Sequence, residues 1–180
     1  MENINESKRK PKIILLNQKS ITFKIALIST FTAVGVVLSY LNPFAYTTIF
    51  GAKPNPFSHL INGLTGVILG PFYSILTATL IAIIRFSLGI GSILAFPGGI
   101  SGAIVVGFFA KMISKTTSKY KIYASLAEPI GTVFIGGTIS NFIIPLGPIY
   151  SWWGIFAVSS IIGSILAFIC LKTLEKKWVF

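Results

Sequence analysis

Five residues are expensive in so apolar a sequence: His59, Asn62, Arg85, Glu128 and Asn141. Within lipid a polar group needs a partner, and an ionisable one points first to function. His59 and Asn62 are spaced i, i+3, with Gly63 and Gly66 at i+4 and i+7, so a helix carries all four as one stripe facing into a bundle. An imidazole and an amide placed together can hydrogen-bond a ligand's heteroatoms while the glycines leave room beside them. They can equally bond a neighbouring helix. Arg85 ends an apolar run, where it can snorkel to headgroups, prop a loop or meet a polar ligand. Glu128 lies about five residues into its run, about 7 Å deep at helical rise, which suits a bond inside the bundle to protein or ligand, in the ionised or the protonated form. Asn141, near the far end of the same run, suits a ligand site. Tyr150, Trp152 and Trp153 open the last run and fit either an interfacial belt or a stacking face for a flat ligand, and Phe57 and Phe96 are further stacking candidates.

The elements that must position these groups are apolar helices. The chain is 53% hydrophobic and 11% charged, with a mean hydropathy of +0.83. Four acids among 180 residues cannot coat a soluble domain of this size, so an all-α integral membrane bundle is expected. Gly, Pro and charge divide it into six spans, at 24–41, 57–69, 72–86, 93–113, 123–144 and 150–171. A basic tail (1–23) precedes the transmembrane domain (24–171), and a short end (172–180) follows it. The tail is too long and charged for a signal-peptide n-region, so the first span is retained.

Charge sets the orientation. Thirteen of the 15 Lys and Arg residues fall in the tail with the first residue of span one (Lys24), in the segment 111–121 and at the C-terminal end; only Lys53 and Arg85 fall elsewhere. Basic residues stay on the cytoplasmic side, so six crossings with both termini inside account for the pattern. The bases flank apolar runs rather than interleaving with aromatics, which excludes a nucleic-acid surface. The second span is short, but removing it would put the central basic segment outside. The first outer connection, Asn42 to Pro56, is fifteen residues, long for a compact bundle. Its aromatic, apolar character suits a lid over an outward-facing cavity, with Lys53, Asn55 and Phe57 at its end. Small residues recur at i, i+4, as in Ala26, Ser29, Thr30 and Ala33 on span one; such a face packs helices or docks a separate membrane subunit.

Several chemistries are excluded. No G-x-x-x-x-G-K-[ST] is present, and the GAK at Gly51 lacks the upstream glycine and the following hydroxyl residue, so this chain does not itself hydrolyse ATP. One histidine and one cysteine, Cys170, exclude most metal sites and any disulfide framework. No cofactor is expected. Gly99-Ile100-Ser101-Gly102 resembles the GxSG of rhomboid-type intramembrane proteases, but the general-base histidine those enzymes need on the sixth span is missing.

Three blocks, GAKPNPFSHLIN (Gly51 to Asn62), GVILGPFYSIL (Gly66 to Leu76) and GIGSILAFPGGISGA (Gly89 to Ala103), resemble the ThiW family. That family belongs to the S components, the substrate-binding membrane subunits of energy-coupling factor (ECF) transporters. The resemblance implies a six-helix, both-termini-inside bundle in a prokaryotic plasma membrane, with a thiamine precursor such as hydroxyethylthiazole as substrate. It also implies a transmembrane T component docked on Ala26, Ser29, Thr30 and Ala33, two ATPase subunits, and a lid between the first two helices. The family's first block is closer to GAKCFPMQHxxN, so Pro54-Asn55 replaces its cysteine position and Ser58 its glutamine; Phe86 replaces a polar residue after Arg85.

The combined expectation is a non-enzymatic binding subunit. A small, flat, neutral heterocycle would contact His59, Asn62, Arg85, Glu128, Asn141, Trp152 and Trp153. The competing expectations are a self-sufficient small-solute transporter and an intramembrane enzyme using Glu128 and Arg85.

Overall fold

Ser, Asn, Pro and Gly punctuate the helices where the sequence places them. The computed structural model of the chain describes residues 20–116, 118–145 and 147–175. The tail bases Lys8, Arg9, Lys10, Lys12 and Lys19, and Lys176 and Lys177 at the other end, lie outside the described residues.

Helix α1 (Ile21–Tyr40) is capped by Ser20, whose hydroxyl accepts from the Phe23 amide. Helix α2 (Pro56–Leu69) starts with proline at its first position, and the Asn55 side chain accepts from Phe57 N–H. Gly70, at φ 83°, turns the chain directly into α3 (Pro71–Ser87). Gly89, at φ 69°, closes α3 in the left-handed conformation that glycine adopts freely, and the amides of Ile90 and Gly91 return to the Arg85 carbonyl. Then come α4 (Ala95–Thr116), α5 (Tyr120–Ile143) and α6 (Ile149–Glu175). Each of the six apolar runs is helical, with ends within four residues of those expected.

Helices α1, α4, α5 and α6 are long and apolar enough to cross a membrane, whereas α2 and α3 are shorter apolar helices of 14 and 17 residues. At 1.5 Å per residue, α2 is about 21 Å long, against a hydrocarbon layer of about 30 Å. It can be short because protein surrounds it: α2 packs against α1, α3, α4, α5 and α6. The apolar side chains lie outside and many polar ones inside. Phe109, Phe142, Ile162 and Ile169 are exposed, while Thr65, Ser74, Thr132 and Ser160 are fully buried. That distribution suits a lipid solvent, where interior polar groups hold helices together.

Two apolar clusters mark the two ends of the bundle. Val67, Ala110, Ile122 and Leu171 pack together where α2, α4 and α6 end and α5 begins. Ala52, Leu94, Val133, Trp152 and Phe156 pack together at the other end. Lys24 lies over the Tyr73 ring and Gly107 abuts Pro71, which places the starts of α1 and α3 at the first end. Lys24, Lys111, Lys115, Lys121 and Lys172 therefore share one end, and Lys53 and Arg85 share the other.

The connection from α1 to α2 is ordered. It contains a 3₁₀ turn, Pro43–Tyr46, and a tight reversal in which Ile49 and Ala52 exchange both backbone hydrogen bonds. Phe50 and Gly51 both have positive φ there, 49° and 85°, as a two-residue turn of this hand requires. The buried Asn42 amide donates to the Pro54 carbonyl at 2.7 Å, tying the start of the connection to its end.

Candidate functional site

A polar centre forms where α2, α4, α5 and α6 meet. Its hub is Glu128, which is fully buried. Carboxylate Oε1 lies 2.6 Å from His59 Nδ1, 2.7 Å from Thr132 Oγ1 and 3.3 Å from Asn62 Nδ2. With Glu128 ionised, Nδ1 carries the imidazole hydrogen, and Nε2 faces Ser159 Oγ, 3.4 Å away, as an acceptor. The second hydrogen of Asn62 Nδ2 goes to the Gly99 carbonyl at 2.8 Å. Both amide hydrogens of Asn62 are thus committed, and its Oδ1 is the atom left for a ligand.

Glu128 reaches this centre because of how α5 is wound. The chain enters α5 in 3₁₀ turns, Ser118–Ala127, and Ile130–Gly136 within it is a π-helix. A 3₁₀ helix rises about 2 Å per residue against 1.5 Å for an α-helix, so the chain advances about 20 Å from Ser118 to Glu128 rather than about 15 Å. Space for the carboxylate comes from Gly102 on α4, where an added Cβ would fall 2.2 Å from Glu128 Oε1.

Above this centre lies a cavity at the end shared by Lys53 and Arg85. The Asn55 and Ser58 end of α2 forms one wall, Ala78 to Arg85 of α3 a second, Ala95 to Gly99 of α4 a third, and Phe156 and Ser159 of α6 a fourth. Ala52 to Asn55 of the connecting segment cover it, and His59 and Asn62 reach it from α2. The cavity volume is about 40 Å³, room for about three waters. An added Cβ on Gly99 would meet nothing within 4 Å, so this glycine borders open space.

Arg85 does not snorkel. It is only 4% exposed, donates from Nη1 to Ser58 Oγ at 3.1 Å, and faces the cavity. Asn55 Nδ2 donates to Ser39 Oγ at 2.6 Å and Ser58 Oγ at 2.8 Å, joining the cover to α1 and α2. Lys53 Nζ donates to the Gly89 carbonyl at 2.5 Å, joining it to the end of α3.

The other sequence-selected residues lie elsewhere. Trp152 is fully buried, with its indole N–H on the Ile144 carbonyl at 3.0 Å. Trp153 packs edge-on against Phe134 and reaches Thr138 Oγ1. Neither lines the cavity, nor do Asn141 and Phe57. Glu128 stands behind His59 and Asn62 rather than among the lining residues. Gly63 and Gly66 leave no room for a ligand: added Cβ atoms would fall 2.4 Å from Ala167 and 2.5 Å from Val106, so these glycines bring helices together. Phe156 and Ser159 escaped the sequence reading, although they follow Trp152 at helical spacing and share its buried face. On α1, Ala26, Ser29, Thr30 and Ala33 are all exposed, opposite the buried Ile28, Thr32, Gly35 and Ser39.

A family model described as thiamine-precursor transporter protein (ThiW) matches residues 25–177. No curated protein and no solved structure matches the chain. The matched region takes in all six helices but the first residues of α1, with the polar centre and the cavity, and ThiW is a transporter family. This membrane protein therefore belongs to the ThiW family of thiamine-precursor transporter proteins.

Proposed function

We propose that the chain is the substrate-binding S component of an ECF-type importer, taking up a thiamine precursor with hydroxyethylthiazole as the reference compound. The observation that carries this reading is the covered polar cavity at the end of the bundle opposite Lys24, Lys111, Lys115, Lys121 and Lys172. All six helices cross the membrane in this account, with the Lys111 and Lys172 end in the cytoplasm. The cavity then opens outward, in the plasma membrane of a prokaryotic cell.

A heterocycle of about ten heavy atoms binds usefully only when nearly every side is buried. The space present holds about three waters, so binding requires the Asn42–Pro56 segment to lift and close again. Phe156 supplies the apolar ring face that the sequence assigned to Trp152 and Trp153, and His59 Nε2 and Asn62 Oδ1 offer acceptors. The exposed small residues of α1 form the docking face for a T component. That partner joins two ATPase subunits, which supply the hydrolysis this chain lacks.

Co-purification tests the subunit role. Affinity-tagged chain, expressed in a cell that encodes an ECF module, is expected to recover a T component and two ATPases. Recovery of the chain alone, together with uptake by the purified chain in vesicles, would favour a self-sufficient carrier.

A further inference from the structure

The charge of the cavity is unbalanced. Arg85 offers five N–H donors, of which one is used on Ser58, and its Nε is buried with no partner among the described residues. No carboxylate pairs with it among those residues. The chain has four acids, Glu2, Glu6, Glu128 and Glu175. Glu2 and Glu6 belong to the tail outside the described residues, and Glu175 ends α6 at the opposite end of the bundle. Glu128 bonds through Oε1 to His59, Thr132 and Asn62, its Oε2 is buried with no partner among the described residues, and it stands behind His59 and Asn62 rather than in the cavity lining. Among the described residues Lys53, at the rim, has only the neutral Gly89 carbonyl as a hydrogen-bond partner.

The backbone offsets this in part. Arg85 lies in the last turn of α3, where the helix end carries about half a negative charge. The starts of α2 and α4 also border the cavity and carry the opposite sign. A buried cation without a counter-charge is costly, and a group that enters the cavity can supply one. Ser58 adds to this pole. Its Oγ already accepts from Asn55 and Arg85, so its own hydrogen is available to a ligand. Donors thus gather at the Arg85 end, and acceptors, His59 Nε2 and Asn62 Oδ1, at the other.

Building on the proposed transport role, we infer that the ligand enters this cavity as an acid. It is a small heterocycle bearing a phosphate monoester or carboxylate, whose anionic group docks on Arg85 with Lys53 at the rim. A guanidinium fork matches either group in a paired geometry. For a thiazole alcohol, the acid of this class is the phosphate ester of its hydroxyl. The neutral part then lies toward Phe156, with a hydrogen-bond donor facing His59 or Asn62.

Titration calorimetry on the detergent-purified full chain tests this with two probes, hydroxyethylthiazole and its phosphate monoester. The ester is expected to bind at least about tenfold more tightly. Arg85→Gln should weaken the ester at least about tenfold while changing the alcohol less than about threefold, removing the preference. Should Arg85→Gln not fold, Lys53→Gln on the rim carries the test, with the ester weakened by about threefold and the alcohol unchanged. Equal or tighter binding of the neutral alcohol to the unmodified protein would overturn the inference and leave the transport reading standing. Equal weakening of both probes by Arg85→Gln would also overturn it. Failure of both probes to bind would remove the acidic ligand and the thiazole assignment together, while co-purification judges the subunit role separately.

Discussion

At the scale of single residues, one carboxylate organises the interior. Glu128 satisfies the His59 imidazole and shares the hydrogens of Asn62 and Thr132. Removing one partner of a buried pair strands the other, so Glu128→Ala is expected to cost about 3 kcal/mol. The His59→Ala, Glu128→Ala double variant should lose less than the two single variants summed. Thermal unfolding in detergent measures both, and strict additivity would contradict the pairing. Gly102→Ala is expected to lower the unfolding temperature as well, because its methyl group would occupy the position of the carboxylate. His59, Asn62, Arg85, Lys53 and Asn55 were legible because polar groups are conspicuous in an apolar sequence. Phe156, Ser159 and Gly99 were not, since phenylalanine, serine and glycine recur along every span and only packing separates the useful ones. Whether the tryptophans line the cavity was not legible, for a related reason. An aromatic at a helix start reads the same whether it faces a ligand or, as with Trp152, caps a backbone carbonyl.

At the scale of elements, the helices could be read from their punctuation, but the winding of α5 could not. No residue between Ser118 and Ala127 dictates 3₁₀ turns; that stretch follows from packing against α4, α6 and α2. That winding carries the chain about 5 Å further along the axis by Glu128 than α-helical rise would. The cover was legible as a long connection, but its fastening was not. Asn42 ties its two ends, and Asn55 and Lys53 fix it to α1 and α3. Asn42→Ala removes a buried hydrogen bond within the cover, so ligand release is expected to quicken about tenfold in stopped-flow measurements, with the unfolding temperature less affected. An unchanged release rate would mean that the cover is not the gate. On α1, Ala33→Leu places a larger side chain on the exposed small-residue face. It should reduce recovery of the T component while leaving ligand affinity unchanged.

At the scale of the whole molecule, Lys24, Lys111, Lys115, Lys121 and Lys172 lie at the end opposite the cavity. The separation of these bases from Lys53 and Arg85 was legible, because the bases mark helix ends along the sequence. What the sequence left open was how the helices surround one another: α2, the shortest, lies at the centre and carries the polar stripe. The orientation predicts that Tyr46→Cys, in a Cys170→Ser background, is labelled in intact cells by a membrane-impermeant thiol reagent, whereas Ser114→Cys is labelled only after lysis. The central claim is that the cavity beside Gly99 holds the transported molecule, and this glycine allows it to be filled without disturbing the fold. Gly99→Ala adds a methyl group into open space and should leave stability unchanged or slightly raised. Gly99→Leu fills the cavity. Calorimetric titration of hydroxyethylthiazole and its phosphate ester should give binding to the unmodified chain and to neither ligand in Gly99→Leu, at an unfolding temperature no lower than the original. Undiminished affinity in a stably folded Gly99→Leu variant would contradict the account.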